Sequence, residues 1–347
     1  MSGFDSEISL VQRFFAALSS GDVDAALAEA SENAITDVRN SHAPWRGLYR
    51  GPAENRAAFG QVVDAFETLE WEPGEIEPAP GRRIVCAARL RGRGRGSGIE
   101  VDAVGGWLLT IRDDLLAEAT LFQTIEETRL AARARAFADA RLYFVCDARP
   151  RDENPAALLD AALAGGVDVI QLRDKQLAGE ELVDAAAAFR AAATEHRALF
   201  ILNDRADLVG AAGADGVHVG QDDLPVAEAR EAAGPAAVVG LSTHRREEVD
   251  AAVAAVGAGR PDQISVGPVW ETPTKQGRAA TGLELVSHAA AAAGELPWFA
   301  IGGIDRSNVA EVVKAGARRI VVVRAIRDAP DPGEAARALR AALSAAI

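Results

Sequence analysis

The side chains best suited to chemistry fall in short clusters along the second half of the chain. Asp204 and Asp223 each follow an apolar run, in Asn203-Asp204-Arg205 and His218-Val219-Gly220-Gln221-Asp222-Asp223. Carboxylates brought together from separate segments suit Mg²⁺, which takes a few protein oxygens and keeps the rest of its shell for phosphate and water. Cations flank them in Gln171-Leu172-Arg173-Asp174-Lys175 and Thr272-Pro273-Thr274-Lys275. Arg173, Lys175 and Lys275 could neutralise a departing diphosphate. Of the 37 lysines and arginines only Lys175, Lys275 and Lys314 are lysine. Two of the three therefore sit in these clusters, where a compact ammonium differs from a planar guanidinium; Lys314 reads as a solvated helix residue. Thr272, Thr274 and the Gly302-Gly303 turn suit a second phosphate, held by hydroxyls and backbone N–H groups. Two anion sites point to a transfer between two phosphorylated substrates.

The elements that must position these clusters alternate. From Arg141 onward, short apolar runs exchange with alanine-rich amphipathic stretches. Strands are expected at Leu142–Cys146, Val169–Leu172, Leu199–Leu202, Gly216–Val219, Val238–Leu241, Gln263–Val266, Trp298–Ile301 and Ile320–Val323. Eight such βα units predict an α/β fold, a (β/α)₈ barrel, since parallel strands need crossover helices and eight close on themselves. Every cluster follows a strand, so all of them fall on the C-terminal rim, where barrels of this kind carry their sites. Ser242, in Gly240-Leu241-Ser242-Thr243-His244, and Arg324, after the eighth strand, join the same rim.

Residues 1–128 read differently. Ile8, Val11, Phe14, Phe15 and Leu18 recur at helical spacing, and Val23 to Ala34 reads as a second helix. A third carries Ala58, Val62, Val63 and Phe66. Beyond Arg83 the period falls to two, through Ile84 to Leu90, Trp107 to Ile111 and Leu116 to Thr124, with Gly92 to Gly98 as a turn. This predicts a smaller α+β domain with an antiparallel sheet. Residues 129–140 read as a linker helix and 141–347 as the barrel.

Composition narrows the function. A formal net charge of −14, spread over both halves, argues against binding nucleic acid or an anionic membrane. No apolar stretch reaches the roughly 18 residues of a membrane span, and the N-terminus lacks a signal-peptide pattern. Two cysteines, Cys86 and Cys146, make no disulfide framework or zinc site. A cytoplasmic protein is expected, with monomer and homo-oligomer both open.

From Arg141 to about Ala346 the motifs resemble the thiamine-phosphate synthase family, which joins hydroxymethylpyrimidine diphosphate to thiazole phosphate. The resemblance implies that Gln171, Arg173, Lys175 and Asn203 hold the diphosphate. It implies that Asp204 and Asp223 ligate Mg²⁺, that Ser242 contacts substrate and that Lys275 follows the threonine pair into the site. Thr272, Thr274, Gly303, Val323 and Arg324 fall on the thiazole-phosphate side, although Arg324 stands where a serine is common. Arg173, Lys175 and Lys275 would be the catalytic cations. The thiazole nitrogen is already unprotonated, so no general base is needed. The alternatives within reach are a thiazole tautomerase-like enzyme and a non-catalytic phosphate-ligand sensor. The first domain resembles the nuclear transport factor 2-like superfamily through Phe14 to Asp22 and the Trp107 to Phe122 strands, which gives a cone-shaped fold and no function.

Plainer readings accompany several of these residues. Asn203-Asp204-Arg205 could be a helix N-cap. His218 and His244 fit structural or hydrogen-bonding roles better than metal ligation. Arg91, Arg93 and Arg95 suit a solvated turn. Trp45, Asp37, Arg39 and Trp107 receive no role.

Overall fold

A computed structural model describes residues 3–42, 45–272 and 279–344. The chain divides into two compact units, Met1–Ala132 and Arg133–Ile347.

In the first unit, α1 (Gly3–Ser19) and α2 (Val23–Ala28) are joined by a turn in which Asp22 caps α2, its carboxylate accepting from Ala25 N at 2.9 Å. The chain continues through β1 (Ala30–Asp37), β2 (Leu48–Arg50), α3 (Gly51–Ala65), β3 (Phe66–Ala79), β4 (Arg83–Gly94), β5 (Glu100–Arg112) and β6 (Leu115–Phe122). The sheet order is β2-β1-β6-β5-β4-β3, antiparallel except for the parallel pair β1–β6. Two features depart from the expectation. The second helix stops at Ala28 and the chain turns into strand β1, after which Val38 enters the core. Strand β3 also forms, in spite of Pro73 and Pro78. It lies at the sheet edge and shifts register between Pro73 and Ile76, the setting in which a strand tolerates a missing N–H.

The interior of this unit is aromatic. Phe14, Phe15 and Trp107 are fully buried, with Phe59 and Trp71 nearly so, and their rings meet edge to face or tilted at 5.4–6.1 Å. Such pairs add to the burial of the rings themselves. Of the arginines read as a solvated turn, Arg91 and Arg93 instead stand on β4, where Arg91 donates to Glu72 on β3, whereas Arg95 does lie in the turn and ties down the carbonyls of Asp64 and Phe66. Asp37 is held by Arg39, and Trp45 packs on the core.

Helix α4 (Ile125–Asp139) starts four residues earlier than the expected linker, because Thr124 and Glu127 form a reciprocal capping box. The division between the units falls within this helix.

The second unit runs β7 (Leu142–Cys146), α5 (Ala156–Ala164), β8 (Val169–Leu172), α6 (Glu180–His196), β9 (Leu199–Asn203), α7 (Val209–Ala212), β10 (Gly216–Val219) and α8 (Val226–Ala233). It continues through β11 (Val238–Thr243), α9 (Arg246–Ala254), β12 (Gln263–Val266), α10 (Gly282–Ala292), β13 (Trp298–Ile301), α11 (Val309–Lys314), β14 (Ile320–Val322), α12 (Arg324–Arg327) and α13 (Pro332–Ser344). Strands β7 to β14 close into a parallel eight-stranded barrel, β14 pairing back to β7. Leu142, Phe144 and Cys146 alternate outward into the layer under the helices, whereas Tyr143 and Val145 of the same strand reach the central cavity.

The N-terminal end of the barrel is closed by Phe137, Tyr143 and Phe299, whose rings meet at 5.6–6.3 Å. Around it, the aspartates that precede β8, β10 and β12 reach back to N–H groups at the strand before. Asp168 accepts from Arg141 N and Leu142 N, Asp215 from Phe200 N, and Asp262 from Val239 N. Each is also paired with an arginine from elsewhere: Arg340 on α13, Arg133 on α4 and Arg230 on α8.

Candidate active site

A cavity of 360 Å³ opens at the C-terminal ends of the barrel strands. Its floor is polar and buried. Gln171 donates through Nε2 to the Tyr143 hydroxyl at 2.6 Å, and His218, Ser242 and Ser265 lie across from them. Of the expected residues, Gln171, Arg173, Asn203, Ser242, Thr272, Gly303, Val323 and Arg324 all line this one cavity. Gly302 and Gly303 are glycine for cause. Both have left-handed φ (109° and 66°), and a Cβ would meet Pro268 Cα at 2.5 Å or Trp270 Cβ at 2.9 Å.

Lys175, Asp204 and Asp223 gather beside the cavity rather than in its lining. Lys175 Nζ stands 3.9 Å from Asp204 Oδ2. Asp204 has φ 61°, a left-handed backbone that aspartate tolerates better than most side chains, and its N–H is anchored on the His218 carbonyl at 2.9 Å. Burial raises the Asp204 carboxyl above the usual carboxylate range, and the negative Asp223 raises it further against the pull of Lys175 and Arg173. Asp223 is fixed by the Gly220 N–H at 2.7 Å. Asp204 and the Asp223 carboxylate that acts on it are a donor set that a divalent cation fits, and among the described residues no group of three metal-binding side chains competes with it. Thr274 and Lys275 lie outside the described residues.

The plainer readings separate here. The N-cap reading of Asn203-Asp204-Arg205 fails, because the following turn has Arg205 at its cap with no side-chain bond and Arg205 pairs with Asp207. His244 binds the Gly267 carbonyl through Nδ1, and its backbone N–H meets Glu248 at 2.7 Å. Both cysteine thiols are pushed up to about 12 by burial, which removes them as nucleophiles. Asp328, which lines the cavity beside Arg324, is bonded by Arg327 at 2.7 Å. Sequence reading missed Tyr143, Ser265 and Gln263. Their signal was period-two polarity inside buried strands, His218 after Gly216, Ser242 after Gly240 and Ser265 after Gln263, where a parallel strand buried on both faces should read apolar throughout.

A closed parallel barrel with a polar floor, and with cations and paired carboxylates at its C-terminal rim, has the architecture of a (β/α)₈ enzyme. The profile "Thiamine monophosphate synthase" matches residues 142–326, and the chain belongs to that family. A second profile, "SnoaL-like domain", matches residues 11–119, ahead of the barrel. A thiamine-phosphate synthase of Arthrobacter sp. is 54% identical over 226 residues, covering 60% of this chain and 95% of its own. That of Mycobacterium ulcerans is 56% identical over 219 residues, covering 60% and 98%. Among solved structures, thiamine phosphate pyrophosphorylase from Pyrococcus furiosus aligns with a TM-score of 0.54 at 31% identity, covering 61% of this chain and 98% of its own. These relatives are transferases, and the chain falls in that class of enzyme. Among the described residues no helix is long and apolar enough to cross a membrane.

Proposed function

We propose that the barrel condenses hydroxymethylpyrimidine diphosphate with thiazole phosphate, giving thiamine phosphate and diphosphate. The observation that carries this reading is one cavity whose uncharged polar floor adjoins a rim of cations and paired carboxylates. The floor groups Gln171, His218 and Ser242 suit the hydrogen-bonding edge of a neutral aminopyrimidine. Arg173, Lys175 and Asn203 take up the charge of the diphosphate as the methylene C–O bond breaks, a role the family resemblance also gives Lys275. The thiazole nitrogen then supplies the electron pair for the new C–N bond, and the diphosphate leaves with the pair from the broken one. No side chain need remove a proton from that nitrogen. Asp204 and Asp223 would hold Mg²⁺, which when bound supplies further positive charge for the leaving group. Thr272, Thr274, Gly303, Val323 and Arg324 serve the thiazole phosphate.

The test is a coupled assay on the full chain with both substrates and Mg²⁺. Diphosphate and thiamine phosphate should appear in equal amounts. Isomerisation of thiazole phosphate alone would make the protein a tautomerase, and tight binding of either compound without turnover would make it a sensor.

A further inference from the structure

Gln263 opens strand β12, is 1% exposed and does not line the cavity. Its side chain nevertheless reaches a residue that does. Gln263 Nε2 lies 2.8 Å from His218 Nδ1, and the opposite ring nitrogen, Nε2, lies 3.0 Å from Ser242 Oγ and 3.3 Å from Ser265 Oγ.

The two partners are not on adjacent strands. His218 on β10 is in register with Gly240 on β11, and Gly240 with Gln263 on β12, so the hydrogen bond passes over the glycine between them. A Cβ at position 240 would stand 1.9 Å from Gln263 Nε2 and 2.5 Å from His218 Nδ1. Gly240 has no left-handed φ, so its backbone conformation is open to any residue. Space for this one bond is the requirement that position 240 meets.

Direction follows from the chemistry of the groups. An amide N–H only donates, so the ring nitrogen facing it carries the lone pair, and the proton of the neutral imidazole is on Nε2. In this orientation Gln263 Oε1 is buried without a hydrogen-bond partner among the described residues. The reverse orientation would strand an amide nitrogen with two N–H groups in the same place, which is the costlier orphan. His218 therefore donates to Ser242 Oγ, and the Ser242 proton is turned towards the cavity.

The geometry points to Gln263 as a positioning residue for the transfer reaction: acting through His218, it sets the ring tautomer that makes Ser242 a hydrogen-bond donor to the bound pyrimidine. This rests on the synthase reading given above, and goes beyond it in naming which group organises the floor and in which direction the hydrogen bonds run.

The experiment joins nitrogen NMR of the substrate-free full chain to steady-state kinetics. In the unaltered protein the His218 ring should show Nε2–H with a bare Nδ1. A ring protonated at Nδ1 would overturn the proposal, whatever the activity. Gln263→Met, close in shape but without a donor, should lower kcat/KM for the pyrimidine diphosphate about tenfold, the worth of one hydrogen bond, and leave KM for thiazole phosphate within about twofold. In a Ser242→Ala background the same change should have no further effect, because the two act in series. Additive losses, or an equal loss for both substrates, would assign Gln263 a purely structural role and overturn the inference. Gly240→Ala separates the pair without altering either side chain and should reproduce the Gln263→Met kinetics; if that variant does not fold, Gln263→Met still decides. Absence of product from the unaltered protein would overturn the synthase reading and leave the tautomer result standing as a separate measurement.

Discussion

The two units treat their interiors in opposite ways. In the first, Phe14, Phe15, Phe59, Trp71 and Trp107 fill the space between sheet and helices with rings. In the second, the strand residues that face inward become polar or glycine towards the C-terminal end: Gln171, His218, Gly240, Ser242, Ser265 and Gly302. An interior packed to organic-crystal density leaves no room for a substrate, and stability is then what such a core supplies. The barrel gives up part of that packing at one end and keeps it at the other, where Phe137, Tyr143 and Phe299 close the floor. The difference shows how the barrel makes room for its cavity.

The comparison breaks first at the carboxylates. Asp204→Asn, chosen because asparagine tolerates the left-handed backbone, and Asp223→Asn should each lower kcat by about a hundredfold or more, with the melting temperature little changed. Excess chelator should do the same to the unaltered enzyme. Turnover that survives in all three would remove the metal from the reading. Next in size, Phe15→Ala in the first unit should lower the stability of that unit by about 3–5 kcal/mol, seen by calorimetry, while kcat for the condensation stays within about twofold. A parallel loss of kcat would mean that the aromatic core supports the reaction after all.

A smaller effect is expected at the base of the barrel. Burial raises the Asp215 carboxyl above its ordinary range, and Arg133 opposes that shift. Where the unfolded chain has released its proton and the folded one resists doing so, the group weakens the fold. This penalty sets in as pH climbs past the ordinary carboxylate value and is absent below it. Arg133→Leu should therefore lower stability by about 2–3 kcal/mol at pH 7, short of a fully buried pair, and by less at pH 4, as urea unfolding would measure. An equal loss at both values would mean that Arg133 acts by packing alone. The same pair bears on truncation: a chain beginning at Ile125 should be more stable than one beginning at Ala134, and both should turn over. The smallest change is at Arg324. It lines the cavity, so Arg324→Ser should raise KM for thiazole phosphate about tenfold with little change for the diphosphate. An unchanged constant would leave the phosphate to backbone N–H groups.

Much of the barrel was legible because a strand buried on both faces announces itself as a short apolar run, and the loop after it as a break in that run. Val169–Leu172 and Gln263–Val266 form as the runs predict. The rim followed from topology, since residues after parallel strands share one end. The floor did not, because a single histidine or serine inside an apolar run carries little weight until its neighbours on the next strands are known. Gln263 is the extreme case: its partner lies two strands away, across a glycine. In the first unit, Pro73 and Pro78 hid β3, since a proline argues against a strand unless that strand is known to be at an edge. Arg91 and Arg93 read as a solvated turn for a related reason, their carboxylate partners Glu72 and Glu67 being supplied by the neighbouring strand.

The three Asp–Arg braces at the closed end of the barrel also order events in time. Asp215 and Asp262 find Arg133 and Arg230 within the stretch already synthesised when β12 is complete, whereas the brace at Asp168 waits for Arg340. Helix α13 also delivers Gly333 against Gly165 at the end of α5, a meeting so close that a Cβ on Gly165 would stand 2.5 Å from the Gly333 carbonyl oxygen. A chain leaving the ribosome therefore carries β7 without the cover that α13 gives it until that helix emerges. For that interval the apolar seam between first and last strands is open, and it is there that a chaperone or a protease would find the protein.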